Sequence, residues 1–84
     1  MFTMRFMKAI LFTHWETVLE NSGFHDSKVR SHTITIWWYL GWLKRRRENA
    51  TCDNARRFVA ELIRERSPED WMAERWRQTL RWFF

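Results

Sequence analysis

The stretch "SHTITIWWYLGWL", residues 31–43, decides the fold of this chain. Its first half, Thr33-Ile34-Thr35-Ile36, is β-branched, and propensity alone favours a strand there. From Ile36 onward the pattern changes. Ile36, Tyr39, Leu40 and Leu43 recur at helical spacing, and Trp38 and Trp42 form a second stripe beside them. A lone strand would have nothing to pair with. The helical reading therefore takes the whole stretch, beginning within "HDSKVRSHT" and running to about Arg47. It closes on Lys44-Arg45-Arg46-Arg47, where cations suit the negative end of the helix dipole.

Upstream, Thr13-His14-Trp15-Glu16 has the spacing of a capping box. It predicts a helix from about 14 to 21 that buries Trp15, Val18 and Leu19. Asn21-Ser22-Gly23 stops that helix, with Phe24 folding back as its hydrophobic contact. Residues 1–12 form an N-terminal extension whose Phe2, Phe6 and Ile10 lie four apart on one helical stripe. It is poorly capped and is expected to be dispensable for folding. Downstream, Asp53 is expected to cap a third helix in which Ala55, Phe58, Val59, Leu62 and Ile63 make one apolar face. Ser67-Pro68-Glu69-Asp70 then reads as a restart, with Ser at the cap and Pro in the first helical position. The last helix buries Met72, Trp76, Leu80 and Phe83, while Glu74, Arg77, Gln78 and Arg81 point the other way. The expected fold is all-α: one domain over residues 13–84, a small bundle of four or five helices.

Composition agrees. Two Gly and one Pro are too few for the turns of an all-β domain. Seven Trp and seven Phe give an 84-residue chain a large aromatic core. No apolar run reaches the roughly 18 residues of a membrane span. The opening "MFTMRFMKAILF" lacks the compact apolar centre and cleavage site of a secretory signal. Cys52 is the single cysteine and cannot form an internal disulfide, so a reducing cytoplasm is the expected compartment.

Catalytic and metal-binding patterns are missing. His14, His25 and His32 lie on different elements without ligand spacing. Tyr39 and Cys52 have no evident base, and there is no Gly-rich phosphate loop. Neither enzymatic activity nor a cofactor or metal is expected. Charge is the stronger lead. Residues 44–84 carry eleven basic against seven acidic side chains, and residues 1–43 only four against three. An anionic partner would therefore meet the C-terminal half. Lys44, Arg45 and Arg47 end the long helix. Arg77 and Arg81 lie four apart with Gln78 between them, two phosphate-reaching groups and an amide suited to a base edge. Lys28, Arg30, His32, Thr33 and Thr35 gather at the start of the long helix, where free N–H groups favour a phosphate. Trp15, Trp38, Trp42 and Trp76 are expected in the core. Trp37 is expected to project outward.

The residues quoted, with "ARRFVAELIRERSPEDW" and "LRWFF" after them, resemble the N-terminal core-binding domain of tyrosine recombinases, and within it integron integrases. The resemblance rests on Thr33 or Thr35, Tyr39 and Trp42, then Phe58-Val59 and Leu62, then Ser67-Pro68, then Leu80, Phe83 and Phe84. It covers roughly residues 14–84. It implies a SAM-like orthogonal bundle forming half of a clamp on double-stranded DNA. The catalytic Arg, Lys, His and Tyr of that family belong to a second domain with no counterpart in this chain. Trp82-Phe83-Phe84 then falls where an interdomain linker would begin. The expected function is weak, salt-dependent, non-catalytic DNA binding, as in DNA recombination and integration. A helical protein-interaction module, for instance a homodimer or a partner of an intact recombinase, is the alternative.

Overall fold

The computed structural model describes residues 12–84, which form four helices. They are α1 (Trp15–Glu20), α2 (Asp26–Arg46), α3 (Cys52–Arg66) and α4 (Asp70–Phe83). No strand occurs among the described residues, so the fold is the expected small all-α bundle. The stripe of Phe2, Phe6 and Ile10 lies outside the described residues. Phe12 packs its ring against Trp82 and Phe83, with centroids 5.6 and 5.3 Å away.

The stretch at 31–43 is helical throughout. Its β-branched residues are accommodated because two threonines turn their hydroxyls onto the helix itself. Thr33 Oγ1 donates to the Val29 carbonyl at 2.8 Å, and Thr35 Oγ1 to that of Ser31 at 3.0 Å. Such back-bonding satisfies the hydroxyl inside a helix. α2 packs against each of the other three helices. Its buried face is His32, Thr35, Ile36, Tyr39, Trp42 and Leu43, a continuous stripe of three- and four-residue steps. Tyr39 is fully buried at the centre, with the rings of Trp42, Phe58, Phe83 and Phe84 around it. Side chains of this kind each contribute about 1.5–3 kcal/mol when fully buried.

The helix ends differ from the sequence expectation in three places. The Thr13–Glu16 capping box does not form. Thr13 Oγ1 bonds instead to His14 Nδ1 at 3.1 Å, and His14 occupies the cap position without a side-chain cap. Asp53 is not the cap of α3. Thr51 is, with Asn54 completing the reciprocal box: Thr51 Oγ1 accepts from the Asn54 N–H at 3.2 Å and Asn54 Oδ1 from the Thr51 N–H at 3.1 Å. Asp53 lies two residues too late, in the first turn of the helix, and pairs with Arg56. Ser67 is not the cap of α4 either. It closes α3 in the left-handed conformation (φ 45°), and Glu69 occupies the cap position of α4 after Pro68, without a side-chain cap. Two burials also differ. Val18 is 46 % exposed, because α1 is only six residues long and buries Trp15 and Leu19 alone. Trp38 is 40 % exposed, with its ring in an edge-to-face arrangement with buried Trp76, centroids 6.5 Å apart.

The connections follow simple backbone rules. Gly23, at φ +86°, takes the left-handed turn between α1 and α2, which costs glycine little. α2 ends on Arg47, also left-handed at φ 56°. The Glu48 N–H returns to the Leu43 carbonyl at 3.1 Å, the closing bond of a Schellman turn.

Candidate nucleic-acid interface

One face of α2 is buried, so helical geometry leaves the opposite face to solvent. Arg30, Ile34, Trp37, Trp38, Lys44 and Arg45 lie there, all exposed. After Asp26 the helix contains no carboxylate. Arg30, Lys44 and Arg45, and Arg47 at the cap, make no ion pair with another described residue. Trp37 is 56 % exposed, as its position on the helix predicted, and Ile34 39 %. Arg66 reaches across from the end of α3 and places its guanidinium 4.9 Å from the Trp38 ring centre. This is a cationic helix face with indoles between the charges. It suits phosphates, which Lys and Arg reach without reading sequence.

Among the described residues, Arg46, Arg57 and Lys28 are engaged within the fold. Arg46 Nη2 lies 2.9 Å from Glu61 Oε1, and its guanidinium covers the Trp42 ring at 4.5 Å. The Trp42 indole N–H donates to the same carboxylate oxygen at 3.2 Å. That bond, with the neighbouring arginines, holds the Glu61 carboxyl below its ordinary range. Arg57 pairs with Glu48 at 2.6 Å. Lys28 is half-buried, with its ammonium 4.6 Å from the Phe24 ring centre.

The sequence-predicted residues therefore divide. Arg30, Lys44, Arg45 and Arg47 are exposed and make no ion pair with another described residue. Arg77 and Arg81 are exposed but share Glu74, at 3.5 and 2.7 Å. The bond from Arg81, above all, lowers the Glu74 pKa. These two arginines face the groove between α3 and α4, whereas Arg45, Trp37 and Trp38 line the groove between α2 and α3. α3 separates the two sets, so they do not make one surface. Gln78 is exposed on α4. Thr33 is half-buried and its hydroxyl proton is engaged within the helix.

His32 and Thr35 are not at the surface, contrary to the sequence reading. His32 is 1 % exposed and Thr35 is likewise buried. His32 Nδ1 bonds to the Thr79 hydroxyl at 2.5 Å. Its ring meets the edge of Phe24 and stacks on Trp82. Burial, reinforced by the charges of Lys28 and Arg75, lowers its pKa, so it is neutral at pH 7 and offers a phosphate nothing. Counting back from Tyr39 by four and by seven lands on Thr35 and His32. The helical period placed both on the core side, and their polarity obscured this. Arg66 was missed for another reason: it belongs to a different helix from the indole it covers, and no spacing along the chain signals that.

No protein-family model, curated protein or solved structure matches the chain. Among the described residues no three of His, Cys, Asp and Glu gather where they could hold a metal ion. No helix of the described part is long and apolar enough to cross a membrane.

Proposed function

We propose that the protein is a non-catalytic, duplex-DNA-binding domain of the kind found in the core-binding half of tyrosine recombinases. The observation that carries this reading is the carboxylate-free outer face of α2, where Arg30, Lys44 and Arg45 lie exposed beside Arg47. Each cation that neutralises a phosphate releases a condensed counterion, so binding is driven by charge and weakened by salt. α2 is held on its other side by three helices, so the face is presented rigidly. Within a full recombinase such a domain positions the site that the catalytic domain cuts. Alone it closes half a clamp and lacks the avidity of two linked modules. It then acts as a weak binder or as a competitor of intact recombinases, in a cytoplasm that keeps the exposed Cys52 thiol reduced.

Titration of a fluorescein-labelled duplex by anisotropy tests this. The expected affinity lies in the non-specific range of about 10⁻⁴–10⁻⁶ M at physiological salt. One observation favours a second reading. Ile34, Trp37 and Trp38 are exposed together on α2, and contiguous apolar surface also marks protein interfaces. Light scattering over a concentration series separates the two. A dimer that ignores DNA and salt supports the interaction module.

A further inference from the structure

We propose that the groove between α3 and α4 binds an aliphatic monocarboxylate, a fatty acid of medium chain length. The groove is open to solvent and offers about 650 Å³, with Ala55, Val59, Ala60, Ile63 and Leu80 as its apolar walls. Volumes of this size are typical of small-ligand sites. The walls are aliphatic, with Phe84 the single ring among the lining residues, so an alkyl chain suits them better than a flat aromatic body.

Length and charge narrow the ligand. On α3 the lining runs from Cys52 to Ile63, which at 1.5 Å per residue is about 16 Å. An extended alkyl chain advances about 1.25 Å per bond, so a chain of about twelve carbons matches the groove. The polar groups on the lips are arginines: Arg56 from α3, and Arg77 and Arg81 from α4. Arg56 is paired with Asp53 at 3.1 Å. Arg77 and Arg81 share the single carboxylate of Glu74. One positive charge is left over beside an apolar channel, and one carboxylate head matches it. An acidic protein helix, with several carboxylates, would exceed that charge. The site lies across α3 from the cationic face of α2 and stands independently of the DNA reading.

Cys52, the only cysteine of the chain, is exposed at the groove and supplies a reporter. The experiment is calorimetric titration of the full chain with sodium dodecanoate below its micelle range. Parallel titrations use dodecyl maltoside, which is neutral, and indole-3-acetate, which is aromatic. The expected result is saturable one-to-one binding of dodecanoate, with both comparison ligands at least about tenfold weaker. R77Q combined with R81Q should weaken dodecanoate about tenfold. A60W, at an exposed position, should fill the groove and abolish binding. Dodecanoate should also slow reaction of Cys52 with a thiol reagent in the unmodified protein and not in A60W. Thermal unfolding establishes that both variants are folded. Equal binding of the neutral or aromatic ligand, unchanged affinity in either folded variant, or an unprotected thiol at saturation would overturn the proposal.

Discussion

Replacing Asn54 by Ala should be among the most damaging single changes outside the aromatic core. The Asn54 side chain is buried and makes four hydrogen bonds. Its Oδ1 accepts from the Tyr39 hydroxyl at 2.6 Å and from the Thr51 N–H at 3.1 Å. Its Nδ2 donates to the Asn49 carbonyl at 2.6 Å and to Glu48 Oε1 at 3.2 Å. In N54A the Tyr39 hydroxyl keeps the Thr51 carbonyl at 3.2 Å, but the Thr51 N–H and the Asn49 carbonyl lose these partners. Half of the capping box is lost with them. Buried neutral bonds count for about 0.5–1.5 kcal/mol each and a cap for about 1, so the loss comes to about 3 kcal/mol. For a domain of this size that lowers the thermal midpoint by about 12–24 °C. Total stability for such a chain is roughly 4–13 kcal/mol, so N54A remains folded at 25 °C. Thermal and urea unfolding by circular dichroism measure this, with D53A as the control. Asp53 is exposed and bonded to Arg56 alone, so D53A should unfold close to the unmodified protein. A double-mutant cycle with Y39F should show coupling of about 1 kcal/mol. A loss below about 1 kcal/mol in N54A, or equal losses in N54A and D53A, would refute the assignment of Asn54 as the polar anchor.

His32 makes stability depend on pH. Its folded pKa lies below the ordinary 6.5, so the unfolded chain binds the proton more readily. Stability is full above pH 6.5 and falls as pH drops toward the folded pKa. Urea midpoints should therefore decline from about pH 7 to 5.5, and H32Q should remove that slope while costing stability throughout. The two faces of α2 should differ in energy: W42A should cost about 3–5 kcal/mol, while W37A should stay within about 0.5. Urea denaturation of both variants decides whether the buried face is assigned correctly.

Fold class was legible because the helical period outlasts the β-branched run. Ile36, Tyr39 and Leu43 are regularly spaced, and so are Ala55, Phe58, Val59 and Leu62. Helix ends were less legible. Three residues at the start of α3 could cap it by type, namely Thr51, Asp53 and Asn54. The choice of Thr51 depends on Tyr39, fifteen residues before Asn54, which holds the Asn54 oxygen. Ser67-Pro68 satisfies the local rule for a helix start, yet Ser67 is taken by the end of α3. The candidate site was half legible. Charge counting found Lys44, Arg45 and Arg47, but it cannot see that Glu74 occupies two arginines on α4 or that polar His32 belongs to the core.

The most direct test of the DNA reading is the salt dependence of duplex binding, compared between two variants. If Arg30, Lys44, Arg45 and Arg47 each reach a phosphate, log K against log salt should have a slope of roughly −3.5. The K44Q/R45Q/R47Q variant should flatten it by about 2.7 units, while R77Q/R81Q, whose arginines share Glu74 behind α3, should change it by less than about one. A flat salt dependence in the unmodified protein, or a slope altered by the α4 variant and untouched by the α2 variant, would contradict the account.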